Sequence, residues 1–496
     1  MRALAALACM AAVFGASLYL VWAHGSITPL WDQWDAEAAN LYKPYLEGTL
    51  SFSDLFSPHA EHRIVFTRLI GLLLLEINGF WDPVLQMVCN AVIRIAGIGL
   101  LLRLLMPPLP GPAAVLLAAF TTLVCAIPFG WENILGFQAP YYLLLPLAFA
   151  SLLAFHGASA FSLRWWLGAV LAVASFFSMA SGALTPAAIA VLHAVQIAVG
   201  TRRGPREIAG VIALALACAV LLAYVPLPPG HEWGRAHSAS EFLHGFKTAA
   251  GWPFGSLPAV LLLNAPILYL AARTLIRRPP LADARWLYVA LAGWVAAQIV
   301  ALAYGRAVWT EAPRYRDILA VNVILNFASL LWIGSRDAVK APRMVVLSAL
   351  LWTVPVVSML SWRALAKLPA EIVERAATSR IQTANLRAFL ATGDMSALSG
   401  KPFLHIPYPT PERLAAISGD PTIRAILHPA LTGNTAPENR ARLRLGWLRV
   451  DGLDAVQTWL LERGGAILGV GVGLLLWLGI FATVSLRQQD RNGGPE

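Results

Sequence analysis

The feature that most constrains the fold of this chain is a succession of long apolar runs separated by short polar loops. An α-helix needs about 20 predominantly apolar residues to cross the hydrocarbon core of a bilayer. The chain is 496 residues long and only 13% charged, whereas about a quarter of the residues of a soluble domain carry a charge. The sequence therefore predicts an all-α polytopic membrane protein.

A window of this length divides the chain into about twelve predicted transmembrane helices. The first, 3–23, is longer than the apolar part of a signal peptide, so we interpret it as a retained anchor. The run 165–200 must hold two helices, which we expect to be broken near Ser181 and Gly182. The other predicted spans are 83–106, 112–127, 140–154, 208–225, 257–275, 287–304, 318–333, 344–360 and 466–486.

Much of the positive charge lies in short loops between the apolar runs, which is typical of cytoplasmic loops. With about twelve spans and both termini in the cytoplasm, all of these loops fall on the cytoplasmic side. The net charge of +10 therefore indicates topology and not a nucleic-acid partner. The residues concerned are Arg202, Arg203 and Arg206; Arg273, Arg277, Arg278 and Arg285; Arg336, Lys340 and Arg343; and Arg487 and Arg491.

The same alternation places a second group of loops together on the opposite face. They carry acids, histidines, amides, arginines and tryptophans in short, dense groups. Polar residues at a membrane boundary are costly unless they line a functional cavity, so we predict a site there. The alternative is that these are merely solvated outside loops. The segments are WDQWD (31–35), SPHAEHRIVFTRL (57–69), GWENILGFQ (130–138), SMASGALTP (178–186), PPGHEWGRAH (228–237) and YGRAVWTEAPRYRD (304–317).

Three regions follow from these patterns. Residues 1–361 form a multi-helix transmembrane domain, which includes a long first periplasmic loop, 24–82. Residues 362–464 are too polar to span a membrane and alternate helix-forming stretches with turns, so we expect a periplasmic, mostly helical module with a modest core of its own. Residues 465–496 form the final transmembrane helix and a cytoplasmic tail.

The ordered set of motifs resembles the GT-C glycosyltransferases, and more narrowly a group of uncharacterised bacterial integral membrane proteins with a GT-C-like layout. The motifs are WDxWD, HxEHR, WENxxxGFQ, GR…RY and, later, DPTIRAILHP. The resemblance implies a GT-C-like fold and transfer of a sugar from a polyprenyl-phosphate donor. It also implies a cell-envelope glycan or lipid acceptor, surrounding membrane lipids, and a bacterial inner membrane with the active face in the periplasm.

Such a transfer needs a base to deprotonate the acceptor hydroxyl while the anomeric carbon becomes oxocarbenium-like. The first-loop acid has this role in GT-C enzymes, which implies that Asp32 is the base. Asp35 is the alternative, as base or as helper, and the spacing of the two acids does not choose between them. The flanking Trp31 and Trp34 suit both a membrane interface and a sugar-stacking platform.

The departing phosphate needs cations, and arginine can bind a phosphate through two parallel hydrogen bonds. The candidates are Arg306 and Arg314, with the neighbouring Tyr315. The HAEHR motif adds Arg63, with Glu61 and His62 as further substrate-binding candidates. The alternative is that Arg314 and Arg316 simply pair with Glu311 and Asp317.

Three polar residues of the WENILGFQ segment, Glu132, Asn133 and Gln138, are candidates for hydrogen bonding to sugar hydroxyls. Capping of a helix is the alternative for these residues. His59, Glu61 and His62 raise the question of a divalent metal, but their spacing is a weak zinc signal, so we expect neither a metal nor another cofactor. A transporter or flippase of a lipid-linked substrate remains the alternative function, although no internal repeat supports it.

Overall fold

The computed structural model describes residues 1–136, 139–227, 230, 232–337, 342–433 and 443–492. Within these residues the chain is helical, with no β-strand. The α-helices are α1 (Arg2–His24), α2 (Lys43–Glu47), α3 (Val65–Asn78), α4 (Pro83–Leu105), α5 (Gly111–Ala126), α6 (Trp131–Ile134), α7 (Ala139–Phe155), α8 (Leu163–Phe176), α9 (Leu184–Ala198), α10 (Pro205–Ala223), α11 (Ala239–Ala250), α12 (Leu257–Arg277), α13 (Arg285–Gly305), α14 (Pro313–Asp337), α15 (Pro342–Trp362), α16 (Leu368–Thr392), α17 (Pro411–Ser418), α18 (Pro421–Ile426), α19 (Pro429–Thr432), α20 (Leu453–Glu462) and α21 (Gly464–Asn492). The prediction of an all-α protein is confirmed.

Apolar helices dominate the bundle. In the described part of the chain, nine helices are long and apolar enough to cross a membrane, and α5, α7 and α8 are apolar but shorter. Each predicted span corresponds to one of these helices. The predicted break in the run 165–200 is confirmed, because α8 ends at Phe176 and a short 3-10 helix, Ala180–Ala183, precedes α9. The number of helices that cross the membrane, about twelve, stays a prediction.

The first and last helices pack against each other through glycines. A Cβ atom on Gly15 would lie 2.2 Å from the backbone nitrogen of Leu468, and one on Gly471 would lie 2.4 Å from the backbone nitrogen of Ala12. Such small residues let helix backbones approach closely. Because Gly464 also contacts the backbone of Tyr19, α1 and α21 run antiparallel. The start of α1 and the end of α21 therefore lie at the same end of the bundle.

The loops between helices gather into two groups, one at each end of the bundle. At one end, His156 bonds the carbonyl of Ala282 at 3.0 Å, and Arg202 donates to the carbonyl of Ala158 at 2.8 Å. We call this the arginine end, because the loops 200–207 and 277–285 meet there. At the other end, the motifs at 57–69, 130–136 and 304–317 come together, and we call it the motif end.

The first loop and the polar module share one hydrophobic core. Trp34 and Trp81 from the first loop are buried with Leu386 and Leu414 from the module. The backbone N–H of Trp81 also donates to the carbonyl of Ile426 at 2.7 Å. The expectation of a separate core for 362–464 is therefore wrong, since apolar side chains of both segments fill the same interior.

A continuous helical path connects the bundle to this shared core. Helix α15 passes into α16 through a π-helical turn, Arg363–Lys367. At the start of α16, Glu371 accepts hydrogen bonds from Arg316 at 2.9 Å and from Trp131 at 3.0 Å. These contacts fix α16 over the motif end.

Candidate functional site

A cavity of about 360 Å³, lined by charged and aromatic side chains, opens at the motif end. It lies between the start of the first loop, the HAEH segment, the start of α7 and the α13–α14 connection. We call it the motif-end cavity. Its lining residues are Trp31, Asp32, His59, Ala60, Glu61, His62, Ile64, Pro140, Tyr141, Trp233, Gly234, Arg306, Trp309, Arg314 and Tyr315.

Asp32 presents its carboxylate to this cavity. Its side chain is 59% exposed, and its Oδ2 atom lies 3.5 Å from Nε2 of His59. Asp32 lies two residues before a π-helix, Trp34–Tyr42, and follows Trp31, whose φ of 47° is left-handed. π-Helices are rare in proteins, and those that occur are often found at functional sites.

Asp35 points away from the cavity, although it is only three residues from Asp32. It pairs with Arg413 at 2.8 Å and accepts a hydrogen bond from the hydroxyl of Tyr408, both in the polar module. Residues three apart share a face of an α-helix, but Asp32 lies in the turn that precedes the π-helix, whereas Asp35 lies within the π-helix. The structure therefore brings Asp32, and not Asp35, to the motif-end cavity.

Arg306 is fixed in the cavity by an ion pair. Its guanidinium donates to Oε2 of Glu61 at 2.8 Å and to the hydroxyl of Tyr315 at 3.1 Å. Burial raises the pKa of Glu61, but the hydrogen bond and charge of Arg306 outweigh burial and hold the pKa at about 2. Glu61 is thus a carboxylate at neutral pH that orients Arg306.

Arg314 is held by a second carboxylate. Its NH1 atom donates to Oε1 of Glu132 at 2.9 Å, and its backbone N–H donates to Oε2 of the same residue at 3.2 Å. The guanidinium also lies 5.9 Å from the centre of the Trp309 ring. Glu132 does not line the motif-end cavity, so it acts there through Arg314.

Asn133 lies behind Arg314 and is fully buried. Its side-chain amide donates to the carbonyl of Arg314 at 2.9 Å and to Oδ2 of Asp317 at 3.1 Å. Asp317 in turn accepts from Arg94 at 2.9 Å. The contacts of Asn133 fix the backbone that presents Arg314.

The HAEH segment forms a tight turn that presents His62 to the cavity. His59 and His62 exchange two backbone hydrogen bonds of 2.8 and 2.9 Å. Burial lowers the pKa of His62 to about 4, so the ring is neutral at neutral pH. Its Nδ1 atom accepts the backbone N–H of Ala180 at 3.3 Å, which links this turn to the break between α8 and α9.

Arg63, like Asp35, Glu132 and Asn133, is a predicted site residue that does not line the cavity. Arg63 stacks on the ring of Tyr224, with its guanidinium carbon 3.7 Å from the ring centre, and donates to the carbonyl of Phe56 at 2.6 Å. These contacts turn it away from the phosphate position that we predicted for it. Gln138 lies outside the described residues.

Some lining residues were not predicted from sequence as site residues. Among them are His59, which is the partner of Asp32, and the aromatic residues Tyr141, Trp233 and Trp309. The indole rings of Trp233 and Trp309 pack edge to face, with centres 4.3 Å apart. The carbonyl of Gly234 also accepts the backbone N–H of Ala307 at 3.1 Å. Both tryptophans belong to segments with dense polar motifs. This density was the sequence feature that could have predicted their place in the site.

A second cavity of about 320 Å³ adjoins the first at Trp31. We call it the side cavity. Its lining combines two tryptophans with acids and arginines of α14 and α16, where Glu371 accepts the contacts from Trp131 and Arg316 described above. The lining residues are Leu30, Trp31, Trp131, Glu132, Pro313, Arg316, Glu371, Glu374, Arg375, Thr378, Gln382 and Leu404.

The described residues contain no group of three or more His, Cys, Asp and Glu side chains arranged to hold a metal ion. Glu61, one member of the suspected set, is engaged with Arg306. The expectation that the site uses no metal stays a prediction. Comparisons with protein families, with curated proteins and with solved structures found no match to this chain. The resemblance to GT-C enzymes therefore remains an expectation from the motifs.

Proposed function

We propose that this protein is a membrane glycosyltransferase of GT-C-like fold that transfers a sugar from a polyprenyl-phosphate donor to a glycan or lipid acceptor. The observation that carries the proposal is the composition of the motif-end cavity. It holds one exposed carboxylate, two arginines fixed by carboxylates, and aromatic side chains in one space. This combination suits a sugar that is joined to a phosphate.

In the proposed reaction, Asp32 accepts the proton of the acceptor hydroxyl. The acceptor oxygen forms a bond to the anomeric carbon of the donor sugar, and the bond from that carbon to the phosphate oxygen breaks. The electron pair of the broken bond leaves with the polyprenyl phosphate. Arg306 and Arg314 stabilise the negative charge that develops there, and their fixed positions avoid reorganisation during the reaction.

Aromatic residues supply the surfaces that such a donor needs. Trp31, Tyr141 and Trp309 line the cavity, and aromatic rings stack on the apolar faces of sugars while their polar edges remain hydrated. Tyr304 and Val308, beside the cavity, are 56% and 66% exposed. Exposed apolar side chains at the edge of a membrane protein suit contact with the lipid chain of the donor.

The side cavity is our candidate for the acceptor. It meets the motif-end cavity at Trp31, next to Asp32, so an acceptor bound in it can present a hydroxyl to that carboxylate. Carboxylates and a tryptophan pair suit a polyhydroxylated ligand. Its position under α16 gives the polar module a role in acceptor binding.

We further propose that the motif end faces the periplasm across a bacterial inner membrane. The support is that the loops 200–207 and 277–285, rich in arginine, lie at the opposite end, as cytoplasmic loops do. Single cysteines near Asp35 and Trp309 are expected to react with a membrane-impermeant thiol reagent from the periplasm, and one near Arg203 is not. If the cysteine near Trp309 is protected and the cysteine near Arg203 is labelled, the orientation is the reverse of the one proposed.

The experiment that tests the function uses the purified full-length protein with radiolabelled polyprenyl-phosphate sugars. The proposal predicts release of free polyprenyl phosphate and movement of the label into an acceptor. In proteoliposomes, delivery of intact donor across the bilayer without cleavage of the sugar–phosphate bond would instead make the protein a transporter. Transporter sites lie near the membrane midplane, whereas the motif-end cavity lies at the helix ends.

A further inference from the structure

Helix α20, which directly precedes the last helix of the bundle, has one face turned towards the protein. Leu461 is buried, Leu460 packs against the core of the bundle, and Gln457 donates to Oδ2 of Asp82 at 3.1 Å. Residues three and four apart are neighbours on an α-helix, so these three positions form one side of α20. The rest of its surface is turned away from the chain.

This remaining surface is divided into an apolar and a polar face. The side chains of Val456 and Trp459 are 53% and 51% exposed, and the guanidinium carbon of Arg463 lies 4.4 Å from the centre of the Trp459 ring. The spacing of these residues places them on one side of the helix, which we call the apolar face. The polar face consists of exposed residues at intervals of four: Asp454, Thr458 and Glu462. Such a division is typical of a helix that lies between an apolar and an aqueous solvent.

Helix α20 lies where other helices enter the membrane. Its Gln457 contacts Asp82, the N-cap residue of α4. Gly464, the first residue of α21, lies against the backbone of Tyr19 near the end of α1. Helices α1, α4 and α21 are all long and apolar enough to cross a membrane. Tyr19 and Trp22 on α1 are 51% and 57% exposed, and such residues are enriched at the level of the lipid headgroups.

The apolar face of α20 continues along the exposed side of α21. Arg463, between the two helices, keeps right-handed helical dihedral angles, with φ −91° and ψ 0°. Val456, Arg463, Val470 and Trp477 recur every seven residues, a spacing that keeps side chains on one side of a helix. Val470 and Trp477 are 69% and 55% exposed, and apolar side chains on the outside of a spanning helix contact lipid. The lipid that covers α21 therefore adjoins the apolar face of α20.

We propose that α20 lies in the interface of the membrane leaflet at the motif end, with its apolar face in the lipid and its polar face in water. Tryptophan favours this interface, and Val456 adds apolar surface beside Trp459. The stem of Arg463 lies along the apolar surface while its guanidinium reaches the level of the headgroups.

Insertion of α20 ties the membrane surface to the first loop. The backbone N–H of Val450, in the segment that leads into α20, donates to the carbonyl of Ile77 at 3.0 Å. Ile77 and Asp82 flank the connection between α3 and α4, so contacts on both sides of this connection hold it to the α20 segment. The lipid interface thereby fixes the height of the first loop above the bilayer.

The test is a depth measurement on the full-length protein in lipid nanodiscs, where both membrane surfaces are accessible. A nitroxide label is attached to Val456→Cys or Trp459→Cys, and to Asp454→Cys or Thr458→Cys as matched controls on the polar face. The four native cysteines are buried or half-buried, so they are kept and the signal of the labelled wild type is subtracted. Relaxation by oxygen, which concentrates in lipid, is compared with relaxation by a water-soluble nickel chelate.

Labels at Val456 and Trp459 are expected to be relaxed mainly by oxygen, at a depth of about 5–10 Å, and labels at the two control positions mainly by nickel. Relaxation of all four labels by nickel alike would show that α20 lies in water, and the proposal would be wrong. Labels on the apolar face that neither reagent reaches would show that protein covers this face, which also contradicts the proposal. Spin–spin broadening that is lost on dilution with unlabelled protein would identify that protein as a second copy.

The pair Val456→Cys and Thr458→Cys keeps the contact between Trp459 and Arg463, so this pair decides the question if Trp459→Cys does not fold. The measurement uses no sugar donor. Its outcome is therefore separate from that of the proposed glycosyltransferase activity.

Discussion

Both ends of the bundle present arginines in a cavity, but the acidic residues among the described lining residues differ between the two ends. At the motif end, Arg306 pairs with Glu61 and Arg314 pairs with Glu132. At the arginine end, four arginines surround Asp283 as the one carboxylate among the described lining residues. The number of arginines is therefore a poor guide to the role of either cavity.

The difference lies in what holds each guanidinium in place. An arginine that is paired with a buried carboxylate keeps its position with or without a ligand, and such preorganisation is what a catalytic site needs. The comparison supports the proposal that chemistry takes place at the motif end.

The largest expected effect concerns Asp32. The variant Asp32→Asn keeps the size of the side chain but removes the proton acceptor, so turnover of a polyprenyl-phosphate sugar is expected to fall about 10²- to 10⁴-fold. Donor binding is expected to survive. Asp35→Asn is the matched control, because that carboxylate contacts Arg413 and Tyr408 outside the cavity. Equal losses in the two variants would contradict the assignment of the base.

The next effect concerns the two arginines of the motif end. Arg306→Lys and Arg314→Lys keep the charge but lose the planar, forked set of donors. We expect kcat/KM for the donor to fall about tenfold or more in each variant. Arg336→Lys, at the opposite end of α14, is the control and is expected to retain wild-type kinetics. Full activity of the double variant Arg306→Lys and Arg314→Lys would exclude a phosphate clamp.

A stability effect is expected at Glu37, on the buried side of the π-helix. Its carboxylate accepts hydrogen bonds from Gln86 at 2.6 Å, from Trp81 at 3.0 Å and from Tyr42 at 3.2 Å. In Glu37→Gln, an amide NH2 group replaces one carboxylate oxygen, so a hydrogen-bond donor faces other donors and buried groups lose their acceptor. The free energy of unfolding is therefore expected to fall by about 1–3 kcal/mol.

The control for this change is Glu47→Gln, an exposed acid of the same loop. Denaturant unfolding in detergent is the measurement. An equal, small effect of the two substitutions would show that the buried network does not hold the π-helix that leads to Asp32.

A smaller effect is expected from pH. Burial lowers the pKa of His62 from 6.5 to about 4. As the pH falls, the His62 ring is therefore protonated at a higher pH in the unfolded chain than in the folded chain. The stability contributed by neutral His62 is therefore present above about pH 6.5 and is lost as the pH falls towards 4. Glu61, with its pKa lowered from 4.5 to about 2, loses its contribution only below about pH 4.5.

The measurement is the thermal unfolding midpoint between pH 7 and pH 5. The wild-type midpoint is expected to fall more steeply than that of His62→Gln, whose side chain does not titrate. Parallel curves would mean that the contact between His62 and Ala180 does not depend on the protonation of the ring.

The smallest effect is expected for the arginine end. Substitution of Arg277 and Arg336 by glutamine should leave sugar transfer within about twofold of wild type, because the distance of about 30 Å along α13 exceeds the screening length several-fold. Transfer kinetics in detergent are the measurement. A loss of transfer activity comparable to that of Arg306→Lys would mean that the two ends act as one functional unit.

Sequence patterns identified the helices better than the contacts between them. Helices α1, α4 and α12 were predicted from their apolar runs, because a long apolar stretch is enough to indicate a transmembrane helix. The helices α3 and α11 were not predicted, since they are too short for a spanning pattern. The shared core of the first loop and the polar module depends on pairing between distant segments, which composition does not encode.

The candidate site was predicted in part. Of the cavity-lining residues, Asp32, Glu61, His62, Arg306, Arg314 and Tyr315 were named from their motifs. Their pairing was not predictable, because Glu61 and Arg306 are 245 residues apart in the sequence. The distinction between Asp32 and Asp35 depends on the turn at Trp31 and Asp32, which precedes the π-helix that contains Asp35 and which the spacing of the two acids does not indicate. Arg63 was misassigned because the stacking partner, Tyr224, is distant in sequence.

The most direct test is to locate the donor on the protein. A polyprenyl-phosphate sugar with a photoreactive group on the sugar is bound to the full-length protein, irradiated, and the modified peptides are identified by mass spectrometry. We predict labelling of peptides that carry Trp31, Tyr141 or Trp309, and its suppression by excess unlabelled donor. Labelling confined to peptides near Arg273 and Arg285, or labelling that unlabelled donor does not suppress, would contradict the account.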